Sequence, residues 1–466
     1  MVSQKKPNFL IIFPDTLGAN AVSCYGNPDV KTPNIDKLAE TGVKFNNCTS
    51  QNPVCQPSRA SLLTGKYVGT HGIRDNGVAN FPTGHLIFPE YLGELGYKRA
   101  YYGKTHSVDK SKWDDVFDLY PDYNKYLKGR GIPVTYPERE PLENRLNHGY
   151  SRIPAKDWAT NVLGNIGKRF IEDQKASKDP FCLFMSFEAP HSPCTLPLEY
   201  KDLYSPDKII LPDVPEEDME NKPEGRLAYL KTRRKSGNGK EDLKWALSIY
   251  YGLATVMDEN IGKLVDALDD NGLRDDTVII FLSDHGDFMA NHGAVGKCIS
   301  VEQSLIHVPL IVNCPAKFAH SEIDALVESI DVFPTISDLA AGEKPRGLQG
   351  ESLIPHVLGK ADHEREVAFS EEHYHPWLSY FAVRDKQFKF TISSNGDEEL
   401  YDIEKDNYEW YNLAAKPEFK EKIAWFKDKI IKWRFDCIDN TVESKVDWVS
   451  NFMHKWGDDP KPYLVE

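Results

Sequence analysis

The sequence predicts an α/β protein with one large domain over 1–360 and a smaller one over 361–466, and three observations carry that prediction. Strand-like, mostly apolar runs at Asn8–Phe13, Tyr97–Tyr102, Phe181–Phe187, Thr277–Leu282 and His307–Val312 have the character of strands buried on both faces of a sheet. Segments with helical spacing lie among them, at Thr32–Gly42, Glu90–Gly96, Trp158 to about Glu172 and Leu243–Leu268. From Glu364 the pattern changes to short amphipathic strands, Val367–Ser370, Tyr380–Arg384, Phe388–Ile392 and Glu399–Tyr401. A helical stretch over Glu418–Arg434 follows, which suits a small antiparallel sheet with a helix.

Taken in order, the first run stops at Pro14-Asp15-Thr16, so Asp15 lies at the carboxyl end of a strand, where open α/β sheets place their ligands. An Asp in that position is most often only a cap or turn former. Thr32–Gly42 carries an N-cap, a proline at the first helical position and a terminal glycine, and so reads as a short helix. Val43-Lys44-Phe45 then leads toward Pro53-Val54-Cys55-Gln56-Pro57-Ser58-Arg59. Pro57 suits a first helical turn and Gly65 offers a stop, which puts Cys55 at or just before a helix N-terminus and Arg59 about one turn on. The unsatisfied N–H groups and the macrodipole there favour a thiolate or a bound oxyanion. A buried structural cysteine beside a surface arginine is the plainer reading of that pair.

The strand Tyr97–Tyr102 ends at Gly103-Lys104-Thr105-His106, and the run Phe181–Phe187 ends at Glu188-Ala189-Pro190-His191. Residues from about Asp109 to about Asp157 show no period and read as an irregular insertion. Pro197–Lys240 is charged and proline-rich, with a basic cluster at Lys231, Arg233, Arg234 and Lys235, and reads as a solvated loop. Thr277–Leu282, rich in β-branched residues, delivers Ser283-Asp284-His285-Gly286, and Gly296-Lys297 follows within one loop. A helix from Ile330 to near Gly342 and a turn-rich segment to about Gly359 close the large domain.

A length of 466 residues leaves ample interior for a core, and a net charge of −15 argues against a nucleic-acid or anionic-membrane partner. Eight cysteines with no Cys-x-x-Cys pair are too sparse for a disulfide framework, so they are expected to be free and mostly buried. The amino terminus runs directly into a strand pattern, with no separate apolar segment and cleavage site, and no stretch approaches membrane-spanning length. The expectation is a cytoplasmic protein; a chain trimmed of a signal peptide would look the same. Beyond Cys437, the residues Trp448, Phe452, Trp456 and Tyr463 make the tail a candidate intersubunit arm of a homo-oligomer.

Cys-x-Pro-Ser-Arg followed by Ala-Ser-Leu-Leu-Thr-Gly resembles the signature of the type I sulfatases of the alkaline phosphatase superfamily. Gly-Lys-x-His at Gly103–His106, Ala-Pro-His-x-Pro at Ala189–Pro193, the Asp284 turn and Gly296-Lys297 resemble that family's further segments in order. The resemblance implies a large, mixed but mostly parallel sheet sandwiched by helices, with a smaller C-terminal antiparallel sheet plus helix. It implies that Cys55 is oxidised after translation to formylglycine, whose hydrated aldehyde attacks sulfur, and that a formylglycine-generating or sulfatase-maturating enzyme is a partner. A divalent metal, Ca²⁺ before Mg²⁺ or Mn²⁺, is implied on Asp15, Asp284, His285 and residue 55. Arg59, Lys104 and Lys297 are implied as the anion clamp, His191 as the group assisting the departing alcohol and His106 as the group orienting the hydrate, with His71 in support. Thr16 replaces the family's usual second aspartate and is expected at most to support the metal ligands. Asp284-His285 looks more like the choline sulfatase and phosphonate monoester hydrolase branches. The implied substrate is an aryl, small-alcohol or carbohydrate sulfate monoester. Two alternatives stay open: a phosphonate monoester or phosphodiester hydrolase on the same scaffold, and a silent anion- or glycan-binding protein if Cys55 is never oxidised.

Overall fold

The five strand-like runs of the large domain become the five central strands of one eight-stranded sheet. A computed structural model describes residues 6–77, 84–106, 108–133, 142–219, 222–223, 226–227, 230–231, 239–297, 300–340, 345–374 and 378–437. Cys298, the basic residues 233–235 and the aromatic tail beyond Cys437 lie outside them. The sheet is built from β1 (Asn8–Ile12), β2 (Val43–Thr49), β3 (Lys98–Gly103), β4 (Asp115–Asp118), β7 (Phe181–Ser186), β9 (Thr277–Leu282), β10 (His307–Asn313) and β11 (Ser321–Glu328). Its order is β11-β2-β10-β9-β1-β7-β3-β4, and β10 alone runs antiparallel to its neighbours. A small sheet of β5 (Leu142–Arg145), β6 (His148–Ser151) and β8 (Cys194–Pro197) stands beside it.

Alternation along the central strands feeds two cores. Leu10, Ile12, Leu183, Met185, Ile279 and Phe281 face one side, where the helices Ala159–Gln174 and Lys240–Asp270 pack through residues such as Phe170, Leu253 and Met257. Phe9, Ile11, Phe184, Val278, Ile280 and Leu282 face the other, against the helices Cys55–Thr64, Phe88–Glu94 and Val332–Ala340. Strands buried on both faces have no polar side to keep wet, which is why they appear in the sequence as unbroken apolar runs. The strands β2, β4 and β11 lie at or beside the edges and alternate with polar residues, so the sequence pattern did not announce them. No helix among the described residues is long and apolar enough to cross a membrane.

Two segments depart from expectation. The segment 109–157 is not uniformly irregular: it holds β4, which extends the main sheet from β3, and a helix over Pro121–Gly129. Four residues at a sheet edge carry too little periodicity to be seen. Nor is Pro197–Lys240 simply a solvated loop, because Asp218, Lys222, Arg226 and Leu230 are buried. Arg226 pairs with Glu302 and Glu399, so charge that looked solvated in the sequence is matched inside the protein. Lys231 is exposed, as a solvated loop requires.

The C-terminal strands β12 (Ala368–Tyr374), β13 (Leu378–Arg384), β14 (Phe388–Ser393) and β15 (Glu398–Asp402) form an antiparallel meander covered by the helix Lys420–Asp436. Val383, Phe390, Phe426 and Trp433 share one cluster with Tyr67 and Ile330 of the large domain. The Glu371 N–H donates to the Gln51 carbonyl at 2.9 Å, and Asn52 Nδ2 donates to the Glu371 carbonyl at 2.6 Å, which fastens the small sheet to the loop that carries Cys55.

Candidate active site and metal centre

Because β9, β1, β7 and β3 run parallel, with Ile12 beside both Phe281 and Met185, their carboxyl ends emerge together. The Asp15 N–H donates to the Phe187 carbonyl and the Lys104 N–H to the Ser186 carbonyl, at 3.0 and 2.9 Å, so both loops leave the sheet in fixed directions. From the β2 side, the helix Cys55–Thr64 begins at Cys55 itself and stops at Gly65, whose φ of 63° accepts the left-handed turn and whose N–H donates to the Ser61 carbonyl at 2.8 Å.

These elements bring Asp15, Cys55, Asp284 and His285 together, all buried, with their ligand atoms within 4.8 Å of one another. Arg59 donates from one nitrogen to both carboxylates, 2.9 Å to Asp15 Oδ2 and 3.1 Å to Asp284 Oδ2, and from the other to Ser186 Oγ at 2.8 Å. Lys104 Nζ lies 2.7 Å from Asp15 Oδ2 and 3.9 Å from Cys55 Sγ. Lys297 Nζ reaches Cys55 Sγ at 2.7 Å and His285 Nε2 at 2.9 Å. His191 Nε2 stands 3.9 Å from Asp15 Oδ1. Thr16 touches both carboxylates, donating from Oγ1 to Asp15 Oδ1 at 2.8 Å and from its N–H to Asp284 Oδ1 at 2.9 Å.

Burial and the Asp15 carboxylate push the Cys55 thiol up, but nearby cations, Lys297 and Lys104 first, outweigh them and hold it well below the usual thiol range. Burial likewise pushes Asp15 up, and Lys104, His191, Arg59 and Lys297 together hold it well below the usual carboxylate range. Asp284 goes the other way, raised by burial and by Asp15. Burial lowers His191, yet Asp15 and Cys55 raise it further, so its net shift favours the protonated ring.

The donor chemistry fits a hard divalent cation. His285 Nδ1 lies 2.9 Å from the Gly286 carbonyl, which can only accept, so the proton sits on Nδ1 and Nε2 keeps its lone pair toward Asp15, Asp284 and Cys55. Two buried carboxylates that cannot both ionise comfortably, with an imidazole lone pair beside them, are the arrangement that a cation relieves.

His106 lies at a turn beside the start of the Cys55–Thr64 helix. The chain turns there at φ 45°, the His106 carbonyl accepts from Gln56 Nε2 at 3.0 Å, and its buried Nδ1 has no hydrogen-bond partner. Among the described residues no hydrogen bond joins its ring to Cys55. His71 contacts Ser61 Oγ at 2.9 Å within the supporting helix and also stays outside the cluster. Sequence reasoning missed Ser186, which orients Arg59, and Ser50 and Ser58, whose hydroxyls donate to the Asp284 carbonyl at 2.5 and 2.7 Å. Ser58 stands inside the Cys-x-Pro-Ser-Arg motif, and Ser186 is the one hydroxyl in the apolar run Phe181–Phe187.

Two cavities meet at His191. One of about 520 Å³ is the more polar of the two and includes Thr16, Asn147, His148, Asp287 and Lys297 in its wall. The other, about 290 Å³, is more apolar and includes Tyr120, Tyr123, Trp158, Leu163 and Glu188.

A family model described as Sulfatase matches residues 7–343, and one described as N-sulphoglucosamine sulphohydrolase, C-terminal, matches residues 290–436. The chain is 32% identical over 438 residues to an ulvan-active sulfatase of Formosa agariphila, covering 89% of this chain and 78% of that protein. It is 28% identical over 487 residues to an N-acetylglucosamine-6-O-sulfatase of Bacteroides thetaiotaomicron, covering 90% and 84% respectively. Among solved structures, a phosphonate monoester hydrolase of Agrobacterium radiobacter superposes with a TM-score of 0.85 at 24% identity, over 94% of this chain and 97% of that one, a likeness of fold.

Proposed function

The chain belongs to the sulfatase family, as a type I member of the alkaline phosphatase superfamily, and is a sulfuric ester hydrolase; from that premise we propose that it releases sulfate from monoesters through a formylglycine made from Cys55. The observation that carries this reading is the placement of Cys55 Sγ, with Lys297 at 2.7 Å and Lys104 at 3.9 Å on one side and the Asp15, Asp284 and His285 ligand atoms on the other. A nucleophile at that point attacks an anion already held by cations.

In the proposed reaction one hydroxyl of the hydrated aldehyde attacks sulfur while the bond from sulfur to the alcohol oxygen breaks, and His191 gives its proton to the departing oxygen. The second hydroxyl then passes its proton to the His191 ring that the first step left neutral, the carbonyl re-forms, and the carbon–oxygen bond to sulfate breaks; the proton of the attacking hydroxyl leaves to solvent. Water restores the hydrate. Lys104, Lys297 and Arg59 neutralise charge on the sulfuryl oxygens and carboxylates, and they act strongly because Lys104 and Arg59 are buried. A divalent cation held by Asp15, Asp284, His285 and residue 55 would supply Lewis-acid polarisation of the nucleophile. The two cavities at His191 take the alcohol part, which suits an aryl or carbohydrate sulfate.

A second reading, phosphonate monoester or phosphodiester hydrolysis, is favoured by Thr16 standing where the family usually has a second aspartate. One experiment separates them: kcat/KM for matched aryl sulfate, phenylphosphonate and aryl phosphodiester on protein whose residue 55 has been characterised by peptide mass spectrometry. Sulfate turnover by the formylglycine form alone is the expected result. Activity with unmodified Cys55 would overturn the nucleophile, and a clear win for the diester or phosphonate would overturn the substrate class.

A further inference from the structure

Lys104 follows β3 directly, but Lys297 lies in neither a helix nor a strand, in the loop between the end of β9 at Leu282 and the start of β10 at His307. An ammonium group that stands 2.7 Å from Cys55 Sγ needs its backbone fixed by something other than a strand. The loop does this by closing on itself between 287 and 296. The Phe288 N–H donates to the Gly296 carbonyl at 2.9 Å, and the Gly296 N–H donates to Asp287 Oδ2 at 2.9 Å. The other oxygen of the same carboxylate, Oδ1, accepts from the Met289 N–H at 2.9 Å. One buried side chain thus spans the neck of the loop, with His285 two residues before it and Lys297 directly after Gly296. Bonds from N–H groups to a carboxylate are among the stronger hydrogen bonds in a protein.

Inside the closure the chain takes positive φ at Met289 (53°), Ala290 (64°) and His292 (54°), a region that residues with a Cβ occupy only at a cost. Such backbone persists where its surroundings hold it. The far end of the loop has its own anchors: His292 Nδ1 lies 2.7 Å from Asp218 Oδ1, its Nε2 lies 2.6 Å from Glu302 Oε2, and Asn291 Oδ1 accepts from Trp410 Nε1 at 2.9 Å. Removing the Asp287 carboxylate leaves those anchors in place and loosens the neck, where Gly296, at φ 84°, has no Cβ to restrict it.

We propose that Asp287 is a positioning residue, which sets the reach of Lys297 toward residue 55 and the sulfuryl oxygens by holding Gly296 and does not itself touch the substrate. The proposal rests on the reading of Lys297 as part of the anion clamp. The test uses full-length protein carrying formylglycine, with para-nitrophenyl sulfate as the probe, and compares Asp287→Ala, Asp287→Asn, Lys297→Ala and the double variant Asp287→Ala, Lys297→Ala. Asp287→Ala should lower kcat/KM by about ten- to a hundredfold, as a misplacement of about 1 Å can, and should divide that loss between kcat and KM as Lys297→Ala does. In the Lys297→Ala background the same substitution should cost less than about twofold, since its effect runs through a side chain already gone. Asp287→Asn, which keeps one of the two acceptors, should lose less than Asp287→Ala. Metal content should stay that of the wild type. A crystal structure of Asp287→Ala should show Lys297 Nζ withdrawn from residue 55, with His292 still between Asp218 and Glu302.

A full loss in the Lys297→Ala background would mean that Asp287 acts on the substrate directly. Equal losses in Asp287→Ala and Asp287→Asn would mean that its charge matters and its bond to Gly296 does not, and a fall in metal content would mean that it acts through His285. Each of these overturns the proposal, as does an unmoved Lys297 in the crystal. Wild-type protein that leaves the aryl sulfate intact, with Lys297 displaced in the variant, would overturn the reaction assigned to the site and uphold the positioning role. If Asp287→Ala does not fold, the same comparison made with Asp287→Asn decides it.

Discussion

Lys104 and Lys297 meet residue 55 from different surroundings, and their variants should fail differently. Lys104 is buried and ion-paired with Asp15, so Lys104→Ala removes both charge stabilisation in the reaction and the partner of a buried carboxylate. We expect kcat/KM for an aryl sulfate to fall by orders of magnitude and unfolding stability to fall by about 3 kcal/mol. Lys297, only partly buried, should give a comparable kinetic loss with little change in the urea midpoint. Asp284→Asn takes one charge from the cation-ready cluster, and metal content by plasma mass spectrometry should drop together with kcat; full activity in metal-free protein would contradict the centre. Glu372 carries a pH effect away from the chemistry. Burial, then Asp75, raises its pKa to about 8, well above the unfolded value, so the folded state holds its proton. The associated stability is complete below about pH 4.5 and is lost as pH rises toward 8. It amounts to a few kcal/mol, because each tenfold change in proton affinity between the folded and unfolded states corresponds to about 1.4 kcal/mol. Glu372→Gln should flatten that slope in denaturant titrations across the same range. At this scale the sequence was informative where a residue follows an apolar run, as Asp15, Lys104, His191 and Asp284 do. It was silent for Arg226, whose meaning depends on partners far away in the chain.

Elements decide whether those side chains arrive. Gly103 ends β3 at φ 123°, and a Cβ there would run into the Ser186 carbonyl oxygen, the acceptor for the Lys104 N–H. Gly103→Ala therefore meets backbone strain and a backbone collision at once, and it should destabilise the protein by about 3 kcal/mol or more. Thermal unfolding and aryl sulfate kinetics measure the two consequences, and a variant with wild-type stability would show that β3 and β7 are not so tightly fixed. The central strands were readable because both faces are dry, and the helix Cys55–Thr64 because Pro57 and Gly65 bracket it. The strands at or beside the edges, β2, β4 and β11, and the buried segment around Arg226 were not. Their hydrophobic patterns are half polar or absent, and what buries them is a neighbour that the local sequence does not name. The turn at His106 escaped for a related reason: nothing in the local spacing announces its left-handed φ.

Across the whole molecule, the two cores flanking the large sheet stay on the amino-terminal side of the division at residue 360, while two smaller clusters cross it. Tyr67 and Ile330 pack with Val383, Phe390 and Trp433, while Phe288 and Leu305 pack with Tyr380 and Ala382. Glu371 of β12 bonds the backbone of Gln51 and the side chain of Asn52, just before Cys55. Residues 1–360 alone should accordingly fail to give a cooperative unfolding transition by circular dichroism; a sharp transition near that of the full chain would show that the large sheet closes its core unaided. The one strand of the main sheet that runs antiparallel among the described residues, β10, has a different kind of consequence. The excursion 283–306, which carries Asp284, His285 and Lys297, leaves the sheet at the end of β9 and returns at the start of its hydrogen-bonded neighbour. The entropy of closing that loop is thus met by strand pairing at its base, and it grows only with the logarithm of loop length. Doubling the excursion would cost about 0.6 kcal/mol. The rim that meets the substrate is therefore free to lengthen, shorten or change sequence over evolutionary time, while the anchored ends of the same loop hold the chemistry in place.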